Sequence, residues 1–352
     1  MNVFLVIVGV AGMFLLLIAP HEAGHFALAK LFKVRVIEFS IGAGARLWSM
    51  TRGGTLYAVR AIPVIGYVRM GGMEAGDFED PNGFHRKSAW QRILILAAGP
   101  AANFLVAMIL VAALGLTQLN DDPGKVARVV PGSPAAAAGF QAGDRLRTVE
   151  GRPITAPDQL RKVENAAPGA AIVVSGVHTN GQPFTYIVTP QCPKPNQCQI
   201  GLSVMGVITV KDAVLNGAAF PFVAVNNLVQ GLSQLVTGQV PGGLLGPNGF
   251  TGPIGIAYVT EQSVSLGLGT YVFFVALLSV ALGFTNLLPF LALDGGRVVV
   301  VLIEVLRRRP FDRASELNFQ RIGLVALLGL AALISFLDIQ RIATGQFPGL
   351  ER

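Results

Sequence analysis

Two histidines and a glutamate stand together at His21-Glu22-Ala23-Gly24-His25, directly after twenty residues without a charged side chain. On a helix, residues i and i+4 share one face, so His21 and His25 can hold one metal ion while Glu22 reaches a water beside it. The spacing alone also fits two histidines satisfied at a membrane interface. The flanking sequence favours chemistry. Met1–Pro20 is long enough to cross a hydrocarbon layer of ~30 Å as a helix, and ionisable groups at the end of such a helix are costly without partners. Ala23 and Gly24 are small enough to admit a second helix.

A catalytic zinc commonly takes three protein ligands and keeps one position open. Asp294, in GFTNLLPFLALDGGR, is the candidate third ligand. Pro289 interrupts the helix before it, and Gly295-Gly296 permit a close backbone approach. Capping of the following helix or pairing with Arg297 would also account for this acid. Asn286, eight residues earlier, either bonds to a partner helix or donates to a developing oxyanion. His85 and His178 read as surface polar residues, the first beside Arg86-Lys87 and the second in a hairpin.

These residues need a membrane scaffold. The chain has 352 residues, 52% hydrophobic and 13% charged, with a mean hydropathy of +0.57. Soluble domains carry roughly 25% charged residues, so the expected fold is a multi-pass α-helical membrane protein. Four spans are expected: Asn2–Pro20 continuing as helix through His25, Ile93–Leu116, Thr270–Leu291 and Ile322–Leu337. The first lacks the basic start of a cleaved signal, and cleavage near Pro20 would leave the metal motif at a free end. Ten Lys/Arg lie between Lys30 and Arg92 and six between Arg297 and Arg321. Both loops are therefore expected on the cytoplasmic side, with the two termini and Thr117–Gly269 outside. The net charge of +7 is read as this topology signal, and no aromatic-basic patch points to nucleic acid.

Between the spans, VRVIEFSIG, TLYAVRAI and GYVRMGG within Val34–Gly72, with turn signals at GAGAR, TRGG and IPVIG, read as short strands of a small membrane-associated sheet. The region is either a cytoplasmic hairpin without function or one whose open edge, at Tyr67, Val68, Arg69 and Met70, accepts an extended peptide as an added strand. Pro131–Pro190 reads as a compact α+β domain: a short helix capped at Ser133-Pro134, a turn at Glu150-Gly151, a helix over Gln159–Ala166 and a hairpin around Asn180-Gly181. Cys192 and Cys198 form either a disulfide or two free thiols. Ala218–Val236 suits an amphipathic helix on the outer membrane surface better than a fifth span, and the Gly-rich PGGLLGPNGFTGPIG reads as a loop leading into the third span.

The HEAGH, IGAGARLW, YVRMGG, GPAAN, FTGPIGI and NLLPFLALDGGR segments, with a PDZ-like SPAAAAGFQAGDRL, resemble bacterial site-2 proteases of the regulator of sigma-E protease kind over nearly the whole chain. That resemblance implies an intramembrane zinc protease of the bacterial inner membrane with one Zn2+ per chain. Its ligands would be His21, His25 and Asp294, with Glu22 as the base and Asn286 holding the substrate or stabilising the intermediate. Gly42 and Gly44 match a membrane-entering hairpin associated with substrate handling. The implied partners are single-pass membrane proteins (anti-sigma-factor-like regulators or signal-peptide remnants, after a first cleavage outside), the lipid bilayer, and a peptide or protein ligand of the PDZ-like domain. The best-known member has two PDZ domains; this chain has one. The domain plan is thus 1–116 and 270–352 for the protease core, 120–206 for the PDZ-like domain and 207–269 for the connector. A non-catalytic scaffold or metal carrier is the rival. A carrier would spread polar groups along a path, whereas here they cluster at one depth and Glu22 is retained.

Overall fold

Residues 3–74, 76–166, 168–193, 197–240, 242–243, 246, 249–290 and 292–348 are described by the structure, a computed structural model. Asn2 and Leu291, the expected limits of the first and third spans, lie outside them. In chain order the elements begin with α1 (Val3–Leu31), β1 (Val36–Arg52), β2 (Thr55–Met70), a 3-10 turn (Phe84–Arg86) and α2 (Ala89–Thr117). Next come β3 (Val126–Val129), α3 (Pro134–Ala138), β4 (Arg145–Val149), β5 (Arg152–Pro153), α4 (Gln159–Ala166), β6 (Ile172–Val177), β7 (Pro183–Val188) and β8 (Leu202–Val204). The chain closes with α5 (Val210–Val236), α6 (Pro253–Leu266), α7 (Leu268–Leu287), α8 (Asp294–Arg307) and α9 (Arg313–Ala343). Two compact units result, Met1–Leu114 with Asn216–Arg352, and Gly115–Leu215.

Among the described residues, α1, α2, α7 and α9 are the helices long and apolar enough to cross a membrane. The shortest, α7, has 20 residues, about 30 Å of helix. These are the four expected spans with shifted ends: α1 runs unbroken through the histidines to Leu31, whereas α7 stops at Leu287, short of the expected Leu291. Pro20 lies inside α1, where it removes one backbone donor directly before His21. The expected amphipathic helix is α5. One of its faces is not free: Phe220, Ala224, Val225 and Leu228 pack with Ala107 of α2 and Ala276 and Val280 of α7.

The Val34–Gly72 region forms a sheet in which β2 flanks β1 twice. Phe39–Ile41 pairs with Val68–Gly66 in descending order on one side and with Tyr57–Val59 in ascending order on the other. The distal half of β1, Arg46–Arg52, pairs back onto Arg60–Thr55. GAGAR, expected as a turn, lies within β1 and is accommodated by Gly42 and Gly44 at φ +95° and +80°. The sheet is clamped to α1 by Phe26 against Phe39 and Tyr57, with ring centroids 5.2 and 5.8 Å apart. Lys30 adds a 2.7 Å bond to the Thr55 hydroxyl. Val34, Val36, Met70, Phe84, Ile95, Leu96 and Val301 then join the sheet, α2 and α8 in one apolar core.

The Gly-rich stretch PGGLLGPNGFTGPIG, residues 241–255, is expected as a loop running into the third span. Residues 241, 244–245 and 247–248 of it lie outside the described residues, and its last three begin a helix, Pro253–Leu266, that the sequence did not mark. Its composition hides this. The amides of Gly252 and Gly255 donate to the buried Asp338 carboxylate of α9 at 2.8 and 2.9 Å, so the cap arrives from a distant side chain. Arg341 donates to the Phe250 carbonyl at 2.7 Å.

The second unit builds the expected elements: Ser133 caps α3, Glu150 and Gly151 turn at φ 50° and 70°, and β6 and β7 form the hairpin. β4, β5, β6 and β7 form one sheet, and β3 pairs with β8. Phe140, Leu146, Val149, Val174 and Ile200 are its buried core. Cys192 and Cys198 are joined by a disulfide. His178 is not a surface residue: its Nδ1 lies 2.9 Å from the buried Asp144 carboxylate and its Nε2 3.2 Å from the Tyr186 hydroxyl.

Asp338→Ala leaves two buried amides unpaired, each costing about 1–3 kcal/mol. A clear drop in thermal midpoint in detergent is expected, with Asp338→Asn intermediate. An unchanged midpoint would mean that the first turn of α6 needs no cap from α9.

Candidate active site

α1 places His21 and His25 one turn apart on a single face, and both are buried. The break after α7 turns the chain so that α8 begins at Asp294. The three side chains meet there. Asp294 Oδ2 lies 3.3 Å from His21 Nε2 and 3.2 Å from His25 Nε2. The two imidazole nitrogens are themselves 3.2 Å apart. Among the described residues this is the one cluster of three such groups able to hold a metal.

The protonation pattern follows from a neighbour in α2. His25 Nδ1 lies 2.8 Å from the Ile95 carbonyl, which can only accept, so Nδ1 carries the proton. The Nε2 lone pair then points at Asp294 and His21. The set is two imidazole nitrogens and one carboxylate. Ligands bound tetrahedrally at 2.0–2.1 Å stand about 3.3 Å apart, so the three observed separations fit a single zinc-sized ion.

Small residues allow this density. A β-carbon at Gly99 of α2 would overlap the His25 ring and come within 2.9 Å of His21. At Gly24 it would overlap the Ala98 carbonyl. Glu22, one residue after His21, interacts electrostatically with both histidines and Asp294 and also meets the sheet. A β-carbon at Gly66 would approach its Cγ to 2.9 Å, so β2 crosses the metal helix at this acid.

Tyr67, Val68, Arg69 and Met70 follow Gly66 and pair with β1 along one edge. Among the described residues no strand pairs with the other edge. Their side chains are mostly committed. Met70 is buried and Val68 packs beside it, while the Tyr67 hydroxyl donates to Glu38 at 2.8 Å. Glu38 also receives Arg60 at 2.7 Å. Burial alone would raise the Glu38 carboxyl, but these two bonds hold it below its ordinary range. Arg60 further donates to Ser40 at 3.0 Å and to the Gly44 carbonyl at 2.8 Å, fixing the glycine segment to the strand edge. Asn286 lies on the last turn of α7, and its amide donates to the Leu282 carbonyl at 3.0 Å.

His85 is a correction to the sequence reading. It is half-buried, and burial together with Arg313 and Arg92 pushes its pKa down to about 3. Ile95 and Arg60 shape the site without standing in any motif, and Gly66 and Gly99 open the GYVRMGG and GPAAN segments without a role having been assigned to them. Their roles rest on contacts between distant segments.

A metal-ligand set with an acid beside it is familiar from proteases working in water, but here it is carried by helices suited to lipid. The class so defined is a membrane-embedded metalloendopeptidase of the site-2 type. Residues 9–330 match Peptidase family M50, and the chain belongs to that family. A Clostridium perfringens protein named as a zinc metalloprotease is 33% identical over 327 residues, covering 92% of this chain and 95% of the relative. A similarly named Agrobacterium fabrum protein is 30% identical, covering 92% and 93%. The zinc metalloprotease RasP of Bacillus licheniformis is 28% identical over 408 residues, covering 92% and 96%.

His21→Ala, His25→Ala and Asp294→Ala should each abolish stoichiometric metal binding, because three ligands leave none to spare. Gly99→Ala, which pushes on both rings, should weaken it by about 10–100-fold. Elemental analysis of detergent-purified variants after dialysis decides both. Full metal content in Asp294→Ala would move the third ligand elsewhere.

Proposed function

We propose that this chain hydrolyses peptide bonds within or near the membrane-spanning segments of single-pass membrane proteins, using one zinc ion held by His21, His25 and Asp294. The observation that carries the reading is the meeting of those three ligand atoms, within 4.8 Å of one another, on helices bordering a membrane span. When bound, zinc supplies Lewis acidity toward water and a peptide carbonyl. Glu22, on the same helical turn as both imidazoles, takes the proton of the attacking water and returns it to the leaving amine. Asn286 contributes an N–H to the developing oxyanion once it turns from the Leu282 carbonyl.

A helical substrate offers no free carbonyl, so it must be unwound before attack. The free edge of Tyr67–Met70 supplies backbone partners for an extended segment, and Gly42 and Gly44, fixed by Arg60, shape the approach. Gly66 sets this edge against Glu22, so a segment added there passes the base. The substrate class is regulators resembling anti-sigma factors or signal-peptide remnants, taken after a first cut outside the membrane.

The enzyme resides in the bacterial inner membrane with both termini outside and the metal centre toward the cytoplasm, as the basic residues of Lys30–Arg92 and Arg297–Arg321 favour. The second unit acts outside as a PDZ-like domain. Its 680 Å³ groove, lined by Leu160, Glu164, Leu202 and Val204, lies between α4 and β8 and suits an extended peptide or protein segment.

Glu22→Gln should keep one zinc per chain and lose activity by at least about 10²–10⁴-fold, because an amide cannot accept the proton. The assay is cleavage of a purified single-span substrate in detergent or liposomes. Near wild-type turnover would remove Glu22 from the role of base. A proline scan through Tyr67–Met70 removes one backbone donor at a time and should block cleavage at alternate positions while zinc content stays at wild-type level. Unchanged cleavage at all four positions would reject this strand as the substrate clamp.

A further inference from the structure

We propose that Glu304 is a positioning residue of the metal centre, acting on Asp294 along α8; the inference rests on the metal reading above. Glu304 is 6% exposed, and a buried charge is costly unless it is paired. It accepts from Arg92 at 2.5 Å, from Arg313 at 2.8 Å and from the Phe311 amide at 2.8 Å. The chain of bonds continues. Arg313 also reaches Glu316 at 3.2 Å, Gln320 donates to Glu316 at 3.3 Å, and Arg297 donates to Gln320 at 3.0 Å. The network leaves α8 at Glu304, crosses the first turns of α9 and returns to α8 at Arg297, three residues beyond Asp294.

What matters is which helices the network joins. Arg92 lies three residues before Ile95 on α2, and the Ile95 carbonyl fixes the His25 ring. Glu304 and Asp294 are ten residues apart on α8, about 15 Å along one rigid helix. The Arg92–Glu304 bond therefore joins the helix that orients His25 to the helix that delivers Asp294. It sets how far α8 slides along α2, and with it the 3.2 Å separation between His25 and Asp294.

Apolar packing does not set that register as sharply. Val301, one turn before Glu304, is buried in the core shared with Ile95 and Leu96. Such contact holds α8 close but is non-directional, whereas a charge-assisted bond fixes distance and angle. His85, beside the cluster, stays neutral because burial, Arg313 and Arg92 push its pKa down to about 3, so no third cation competes for Glu304.

The test uses the full chain in detergent and measures zinc affinity by competition with a chromogenic chelator, alongside thermal midpoint. Glu304→Gln should weaken zinc binding by about 10–100-fold, the range seen when groups supporting metal ligands are lost. Val301→Ala, which lowers stability through a cavity, should hold zinc as wild type. Should Glu304→Gln fail to fold, the double variant Arg92→Met with Glu304→Met removes both charges, a replacement that buried ion pairs often tolerate, and should show the same weakened zinc binding. Wild-type zinc affinity in a folded Glu304 variant, or equal zinc loss in Val301→Ala, overturns the assignment. A wild-type chain that takes up no zinc rejects the metal reading itself and this inference with it.

Discussion

The structure depends on bringing two imidazole lone pairs and a carboxylate to one point among helices that are otherwise apolar. Gathered polar groups lose hydration, and only mutual bonding or a bound ion compensates. The Ile95 carbonyl takes the one His25 proton that would otherwise point at another donor. Gly24 and Gly99 remove the β-carbons that would keep α2 at a distance. Asp294 sits in the first turn of α8, where the helix dipole favours an anion. Each feature is costly or unremarkable alone and makes sense as part of the same meeting point.

Much of this centre was legible in the sequence because its geometry is local or its residues are scarce. His21, Glu22 and His25 follow from the pitch of one helix, and Asp294 stands just after an apolar run broken by proline. The four spans were legible for a similar reason: length and apolarity act over a continuous stretch. Reading failed where distant residues decide. The start of α6 is hidden in a glycine-rich stretch until Asp338, over 80 residues later, accepts from the amides of Gly252 and Gly255. His178 and His85 look like surface residues until Asp144, Tyr186 and the cations of α2 and α9 close around them. Glu304 carries no motif, and its burial depends on Arg92, which is 212 residues away.

The sheet shows the same division. The alternation of strand and turn signals marks Val34–Gly72 as β structure, yet GAGAR continues a strand instead of ending it. Paired glycines at positive φ let β1 change partners midway, so that β2 can flank it on both sides. One guanidinium secures that arrangement. Arg60 touches Glu38, Ser40 and the Gly44 carbonyl, and Glu38 in turn holds Tyr67. The glycine segment and the free strand edge are therefore parts of one rigid piece whose charges are neutralised internally.

α9 is held differently from the other long helices. Its first turns are bound through Arg313, Glu316 and Gln320, and its last through Asp338 and Arg341, while Ile322, Val325, Leu328, Leu330, Leu333 and Phe336 between them are exposed. The stretch between the ties is roughly 26 Å of helix, slightly less than a hydrocarbon layer of ~30 Å. Tilting would only enlarge such a shortfall, so the surrounding lipid must thin or the ties must carry the load, at fractions of a kcal/mol per Å. Acyl-chain length thus becomes a mechanical input to this protein, delivered at one end to the first turn of α6 and at the other to the helix that bears Asp294.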